Sequence, residues 1–213
     1  MTATQLSLYN GALRALGERK LASLSEDRAP RRILDDIWND GTIDACLEQG
    51  QWNFAMRTVK ADYSPSVEPS FGLRRAFDKP VDWIRTSGLC SDEYFTNPLT
   101  QYRDEAGFWY ADIDTIYVRF VSNHVSYGND LSLWPESFVT CVELYMALEA
   151  CEPITQSESK RKRVEKQLQD QLVKARSKDA MDEPPAFPPQ GRWSRARMGT
   201  TSGGRRARGS LYG

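Results

Sequence analysis

The sequence has few of the residues that most often carry out chemistry or bind metals. It contains one histidine, His124, and four cysteines, of which no two have CxxC spacing. Because a structural zinc site draws on several such ligands at short, regular spacing, we expect no metal site. Phosphate-binding glycine loops, a nucleophile elbow and the HExxH zinc motif are also missing. We therefore predict no catalytic residue and no cofactor.

Long apolar runs are missing as well. No run approaches the ~20 residues that a membrane-spanning helix needs. The N-terminus has no basic region followed by an apolar block, as a secretory signal would have. We therefore expect no membrane partner and a chain that stays in the cytoplasm in which it is made. In that reducing compartment Cys46 and Cys141, which fall among core-type residues of predicted helices, should be buried free thiols.

Acidic pairs offer only weak candidates for acid–base chemistry. Asp112 and Asp114 would share one face of a strand, but two catalytic carboxylates need a cleft of defined width between them. We interpret this pair as part of a polar turn, and Asp35, Asp36 and Asp40 as a solvated helix face. A hydrolase stays open as a competing hypothesis, although nothing in the sequence selects a carboxylate pair for it.

The sequence does contain strong helical patterns towards both ends. Apolar residues at three- and four-residue spacing predict a helix over about residues 4–16 and a second helix that begins near Pro30. A later apolar stripe predicts a helix that ends before Pro153. Thr155 and Glu158 match a capping box for a last, mostly polar helix. Its narrow apolar seam suggests that it packs weakly on its own domain or meets a partner.

Aromatic and β-branched residues dominate the middle of the chain. Ile116, Val118 and Phe120 alternate with more polar neighbours, which predicts a half-buried strand. Ala106-Gly107 predicts a hairpin turn. The three residues Phe108-Trp109-Tyr110, which follow that turn, are equally compatible with a contact surface and with a core.

These patterns predict a mainly α fold. We expect an antiparallel helical bundle with a small antiparallel β insertion and an extended C-terminal arm. The predicted parts are an N-terminal helical half of the bundle at 1–60, a β-rich insertion at 61–133, a C-terminal helical half at 134–181, and a Pro/Gly/Arg-rich docking arm at 182–213.

Basic charge is concentrated at the C-terminus. Residues 191–213 contain six arginines, no lysine and no acidic residue. The whole chain has 28 basic and 29 acidic residues. Residues 1–190 therefore contain 22 basic and 29 acidic residues, a net charge of −7. A basic arm on an acidic body is suited to binding something negative outside itself.

The arm therefore predicts a docking segment. Arginine makes bidentate contacts with carboxylates, and aromatic or aliphatic side chains supply apolar anchors. The predicted partner-binding residues are Phe187, Arg192, Trp193, Arg195, Arg197, Arg205, Arg206, Arg208, Leu211 and Tyr212. Contacts of the same arginines with phosphates would instead make the chain a nucleic-acid-binding helical protein. A disordered, solubilising tail is a third alternative.

Six segments occur in an order that is specific as a series. They are Leu13-Arg14-Ala15-Leu16-Gly17-Glu18, Leu21-Ala22-Ser23-Leu24-Ser25-Glu26, Trp52-Asn53-Phe54-Ala55, Lys79-Pro80-Val81-Asp82-Trp83-Ile84-Arg85, Ile116-Tyr117-Val118-Arg119-Phe120-Val121 and Trp134-Pro135-Glu136-Ser137-Phe138. In the order and spacing of these segments, from about Leu6 to Ala180, the chain resembles podoviral tail tubular protein A and related head-to-tail adaptors.

The resemblance implies a virion protein of the tail connector. It implies a dodecameric ring of neighbouring copies, bound beneath the portal protein after genome packaging. Such a ring carries the next tail tube or nozzle protein, and DNA passes through its lumen without sequence-specific binding. In this family the C-terminal segment reaches away from the bundle to embrace the portal, a role that suits residues 182–213. The Arg/Gly-rich stretch 203–209 goes beyond the family pattern.

Overall fold

Helices at both ends of the described chain flank two small sheets in the middle. The computed structural model describes residues 3–69 and 72–182, which belong to one compact unit that extends to Asp182. Over these residues there are five α-helices: α1 Gln5–Leu16, α2 Ala29–Asn39, α3 Thr42–Glu48, α4 Glu136–Thr155 and α5 Glu158–Met181. None of the described helices is both long enough and apolar enough to cross a membrane.

Six strands in the described residues form two antiparallel sheets. The strands are β1 Met56–Asp62, β2 Arg75–Asp78, β3 Trp83–Cys90, β4 Arg103–Glu105, β5 Phe108–Ala111 and β6 Thr115–Ser122. One sheet has the order β1-β6-β3 and the other β2-β5-β4. The hairpin turn predicted at Ala106-Gly107 is confirmed, because it joins β4 to β5 with φ values of 40° and 85°. Positive φ at both positions matches the twist of the flanking strands.

The prediction of a mainly α fold is wrong. The structure is a mixed α/β fold, with 43% of its described residues helical and 20% in strands. The sequence patterns singled out β4, β5 and β6 but not β1, β2 or β3, and β2 has only four residues. The register of β3 also shifts twice, between Trp83 and Arg85 and between Thr86 and Gly88. Such irregularities break the two-residue alternation by which a strand is recognised.

Helix α4 lies at the centre of the helical layer and packs against the four other helices. It is apolar on several sides, as expected of a helix that is surrounded by protein. Its buried side chains include Phe138, Val142 and Met146. The sequence predicted that this helix ends before Pro153. That prediction is wrong, since α4 continues to Thr155. Proline is accepted here, where the helix extends only two residues further.

The ends of α1 agree with the sequence-based prediction. The Thr4 hydroxyl accepts a hydrogen bond from the Ser7 N–H, and Gly17 ends the helix with φ 77°. Between these ends α1 approaches α4 closely, because Gly11 leaves room for the Glu143 side chain. A Cβ atom added at Gly11 would lie 1.9 Å from the Glu143 Cδ. Arg14 then pairs with the same carboxylate at 3.0 Å.

Helix α5 packs on its own domain. Val164, Leu168 and Ala175 are buried in the described unit, so the narrow seam predicted from sequence faces the protein's own core. The predicted capping box is wrong, since the N-cap is Ser157 and α4 still includes Thr155. Serine two residues later can satisfy the same N–H groups at the helix start.

Basic side chains at the start of α5 close the end of α1. The Lys160 Nζ donates to the Leu16 carbonyl at 3.0 Å, and Arg163 donates to the Ala15 carbonyl at 3.2 Å. Positive charge is stabilising at a helix C-terminus, where the last carbonyl groups have no partner within the helix. These two residues therefore hold α5 against α1.

A second core lies between the two sheets. It is formed by side chains from both sheets: Phe77, Leu89, Trp109, Ala111, Ile116, Val118 and Phe120. Strand β6 contributes to both cores, because Phe120 packs between the sheets and its neighbour Val121 packs with the helices. The strand predicted around Ile116 thus joins the two halves of the fold.

The cysteines follow the prediction made for a reducing compartment. Cys46 and Cys141 are buried free thiols, as are Cys90 and Cys151. Burial raises the pKa of Cys141 to about 11. The prediction for Cys46 and Cys141 is confirmed, and both act as small apolar side chains in the helical core.

Candidate docking surfaces

The ten predicted partner-binding residues lie outside the described residues. They are Phe187, Arg192, Trp193, Arg195, Arg197, Arg205, Arg206, Arg208, Leu211 and Tyr212. Their docking role stays a prediction. The surfaces described below all belong to residues 3–69 and 72–182.

Lys79 lies in a polar network between the two sheets. Its side chain is 6% exposed, forms an ion pair with Asp104 and lies 3.7 Å from the centre of the Trp83 ring. The Thr86 hydroxyl donates to Asp104 at 2.6 Å and accepts from the indole N–H groups of Trp83 and Trp109 at 3.0 and 2.9 Å. A network in which the buried groups are satisfied fixes the packing of its surroundings. Lys79 and Trp83 therefore serve the fold and do not form a binding surface.

Asp82, three residues after Lys79, joins segment 79–85 to strands β1 and β6 of the β1-β6-β3 sheet. Its carboxylate accepts hydrogen bonds from Arg57, at 2.6 Å, and from the Ser122 hydroxyl. Burial acts to raise the pKa of Asp82, but the hydrogen bonds from Ser122 and Arg57 hold it below its usual value. The Asp82 carbonyl also accepts from the Asn123 N–H at 3.1 Å. This carboxylate is a structural anchor at the end of β6.

Two other segments of the series meet in the helical core. The Phe138 ring lies 4.9 Å from Trp52, 4.8 Å from Phe54 and 5.0 Å from Trp134, measured between ring centres. Edge-to-face and tilted pairs at these distances stabilise a core beyond the apolar area that they bury. Segment 52–55, which follows α3, therefore packs against segment 134–138 at the start of α4.

The aromatic run after the hairpin turn is divided between core and surface. Trp109 is fully buried between the sheets. Phe108 and Tyr110 point to the other side of β5, where they are half-buried with ring centres 6.2 Å apart. Alternation along the strand explains the division. Only Phe108 and Tyr110 stay available for contact.

The carboxylates considered for catalysis are held by neighbouring groups. Asp112 accepts from the Arg74 backbone N–H at 2.9 Å, and Asp114 pairs with Arg75 at 2.7 Å. Their interpretation as a polar turn is confirmed, since 112–114 form the bend between β5 and β6. Within the described residues no group of three or more His, Cys, Asp or Glu could hold a metal ion.

Asp35 departs from the predicted solvated face. The hydroxyl of buried Tyr9 donates to its Oδ1 at 2.9 Å, and Arg31 pairs with its other oxygen. Burial raises the pKa of Tyr9, while a hydrogen bond from Gln5 opposes the change. The interpretation was therefore wrong for Asp35, which links α2 to α1, whereas Asp36 and Asp40 are exposed.

The outer face of α5 has basic charges without partners. The helix has eight basic and four acidic residues. Lys166 and Lys174 are exposed and have no ion pair or hydrogen bond among the described residues. Between them lies Val173, whose side chain is 67% exposed. A single exposed valine is common on protein surfaces, and it becomes informative only beside the unpaired lysines of the same helix.

An acidic groove lies between the α2–α3 turn and α4. Its lining includes Ile37, Asp40, Tyr145 and Glu149. Burial raises the pKa of Tyr145, and so do its neighbours Glu149, Cys46 and Glu48. In the part of the chain that the structure describes, Asp40, Glu48 and Glu149 form no ion pair. Sequence reasoning missed this site because its two sides are about a hundred residues apart in the chain.

Comparison with models of known protein families and with curated proteins gave no match. A function for this chain must therefore be inferred from its own residues. The strongest candidates are the arginines near the C-terminus, the outer face of α5 and the acidic groove. The outer face of α5 and the acidic groove offer charge and apolar side chains at the surface of the described residues, which suits contacts with macromolecules.

Proposed function

We propose that this chain is a structural subunit of a phage virion, a head-to-tail adaptor that binds beneath the portal. Copies of the chain would form a ring, link the packaged head to the tail and carry the next tail tube or nozzle protein. The DNA would pass through the ring. In this role the chain carries out no chemistry.

The observation that carries the proposal is the division of charge along the chain. The six arginines of 191–213 stand against a net charge of −7 in residues 1–190. A conduit lined by acidic residues repels the phosphates of DNA and limits sticking. The arginine-rich sequence of 191–213 is suited to gripping an acidic surface of the portal.

The arrangement of the six resembling segments also supports the proposal. Lys79 and Asp82 secure the two sheets, and Phe138 secures the helices through Trp52 and Trp134. Residues that hold a body together are expected to recur among proteins that share a fold. The six segments therefore support a fold shared with these adaptors.

The test is a binding experiment with the portal of the same virion. The full chain is mixed with portal, and a chain that ends at residue 182 serves as the comparison. We expect the full chain to form rings on the portal that are visible by cryo-electron microscopy, and the shorter chain to fail. Thermal unfolding of the shorter chain checks that its body is still folded.

Arginine variants distinguish docking from nucleic-acid binding. Replacing all six arginines of 191–213 by lysine keeps the charge but removes bidentate geometry. Weaker portal binding by the lysine variant supports docking on carboxylates. If neither the full chain nor the lysine variant binds the portal, the adaptor proposal is contradicted. A salt-titrated DNA-binding assay then tests the nucleic-acid-binding alternative, in which the lysine variant should keep most of its affinity.

A further inference from the structure

We infer that the outer face of α5 binds the acidic groove between α2, α3 and α4 of a second copy of the chain. The inference rests on the proposed function for its setting, because a ring needs a contact between neighbours. It goes further by naming the two surfaces that meet and by predicting that they differ from each other.

The outer face of α5 is available because the opposite face is already used. Val164, Leu168 and Ala175 are buried in the core. On a helix with 3.6 residues per turn, Lys166 and Val173 lie two turns apart on the side opposite these three residues. The face that contains Lys166 and Val173 therefore points away from the body.

Most basic residues at the start of α5 are engaged within the chain. Lys160 and Arg163 bind carbonyls of α1, while Arg161 pairs with Glu152 at 3.7 Å and Lys162 with Glu158 at 2.7 Å. Lys166 and Lys174 have no such partner among the described residues. Lys166 and Lys174 do not hold α5 on the body, so their positive charge can attract a negative partner.

The acidic groove matches this face in chemistry. Ile37 and Tyr145 line it with apolar surface, and Asp40 and Glu149 supply carboxylates. Val173 is of a size to enter a small groove, with Lys166 two turns away on the same face and Lys174 next to it in the chain to meet the carboxylates. An apolar centre with a charged rim on both sides is the usual layout of a protein interface.

Charge identifies the second copy as the occupant. Helix α5 holds eight basic and four acidic residues, whereas α4 holds four acidic residues and no basic residue. Two α5 helices, each with a net charge of +4, would repel each other, although Asp170 lies among the lysines of the outer face; a contact between equal faces is therefore disfavoured. The groove of the same copy is also out of reach, because the outer face of α5 points away from α4. A neighbour's groove offers the complementary charge.

The contact is heterologous, since each copy contributes a different surface. Contacts of this kind build rings when the rotation between copies closes, and open filaments when it does not. Exposed ion pairs are individually weak and are screened by salt. The free chain should therefore associate in a concentration- and salt-dependent way, and the portal would favour closure by bringing copies together.

Cross-linking of the full chain tests the geometry directly. Glu149→Cys and Val173→Cys place one exposed thiol on each surface, and the native cysteines are buried. With a short bismaleimide, we expect a cross-linked dimer when the two variants are mixed and none from either variant alone. Dimers from one variant alone, or no mixed dimer at any concentration, would overturn the inference.

Charge exchange tests the chemistry of the same contact. Lys166→Glu with Lys174→Glu makes one variant, and Asp40→Lys with Glu149→Lys makes the other. Each variant alone should self-associate at least about tenfold more weakly in sedimentation velocity, because like charges face each other. An equal mixture should recover association, since the reversed face of one variant meets the reversed groove of the other.

A matched control separates specific contact from net charge. Lys60→Glu with Arg103→Glu changes the net charge as much as the α5 variant does, at exposed residues of strands β1 and β4. This control should associate like the unmodified chain. If it is weakened as much as the α5 variant, or if the mixture does not recover, the inference is wrong.

The outcome is distinguishable from failure of the adaptor proposal. If the portal binds no copies but the mixed dimer forms, the adaptor proposal fails and the self-contact stands. If Lys166→Glu with Lys174→Glu still forms complete rings on the portal and gives no loss of self-association, the self-contact fails and the adaptor proposal stands.

Discussion

The two sheets and the helical layer treat their charged residues differently. In the sheets, charges pair with one another, as Lys79 does with Asp104 and Arg57 with Asp82. In the helical layer some charges also pair, as Arg14 does with Glu143, but Lys166 on α5 and the carboxylates of the groove have no ion-pair partner among the described residues. Exposed charges contribute little to stability whether or not they are paired. The helical layer can therefore keep charges for partners, whereas the sheets use theirs to stay together.

Of the proposed changes, removing the charge of Lys79 should lower the free energy of unfolding the most. Lys79→Met keeps an unbranched side chain against the Trp83 ring but leaves Asp104 without its counter-charge. Breaking a buried ion pair from one side costs about 3–5 kcal/mol. Because the Asp104 side chain is 30% exposed, we expect a loss of about 2–3 kcal/mol in the free energy of unfolding. Chemical denaturation of the full chain measures the change.

Two controls show whether burial causes that loss. Arg74→Met breaks the exposed pair with Asp112, and its effect should stay within about 1 kcal/mol. Adding Asp104→Asn to Lys79→Met removes the stranded charge and should recover part of the lost stability. If Arg74→Met costs as much as Lys79→Met, the sheets do not depend on buried charge.

The second prediction concerns packing in the helical layer. In Gly11→Ala the new methyl group meets the Glu143 carboxyl group at 1.9 Å, so that side chain must move away from Arg14. We expect a loss of about 1–2 kcal/mol in the free energy of unfolding, the usual cost of overpacking. In a chain that already contains Glu143→Ala, adding Gly11→Ala should leave the free energy of unfolding unchanged or raise it. Alanine favours a helix by up to about 1 kcal/mol over glycine.

Equal losses in the two backgrounds would contradict this account of the α1–α4 contact. A small side chain permits the close approach in the helical layer, while a charged side chain fixes the sheets. Thermal unfolding of the four chains in one buffer provides the comparison.

Local rules predicted the features of the fold that depend on neighbours in the chain. The cap at Thr4, the stop at Gly17 and the turn at Ala106-Gly107 each follow from the conformational preferences of one or two residues. The sheets could not be predicted to the same degree. Strand β3 is irregular, and its pairing with β6 is between segments that are about thirty residues apart.

The candidate site shows the same limit. Asp40 is visible in sequence as an exposed acid, but nothing local to it indicates Tyr145 or Glu149. The role of Asp35 was missed because its partner Tyr9 is on another helix. Contacts of this kind depend on how helices pack, which periodicity alone does not fix. The docking role of the C-terminal arginines stays a prediction.

A third prediction uses acid to compare one carboxyl group from each region. Hydrogen bonds hold the pKa of Asp82 low against the effect of burial, so its stabilisation is lost as pH falls through the folded pKa. Burial raises the pKa of Glu143 against the effect of Arg14, so its contribution has the opposite sign and is lost as pH rises through the folded pKa.

Two variants separate these contributions. Asp82→Asn should make the free energy of unfolding fall less steeply as pH falls below about 4, the ordinary aspartate pKa. Glu143→Gln should make it fall more steeply at mildly acidic pH, because a contribution that offsets acid is removed. Denaturant titrations at several pH values measure both slopes. Slopes that change in the same direction would show that the two carboxyl groups do not differ as their surroundings imply.

The smallest effect should come from two lysines on one helix. Lys160 donates to the last carbonyl of α1, whereas Lys166 is exposed and has no partner among the described residues. Lys160→Gln should lower the free energy of unfolding by about 0.3–1 kcal/mol, since it removes positive charge from a helix C-terminus. Lys166→Gln should leave it unchanged within error and should instead weaken self-association. If the two changes have equal effects on stability, the lysines of α5 are not divided between the fold and a partner.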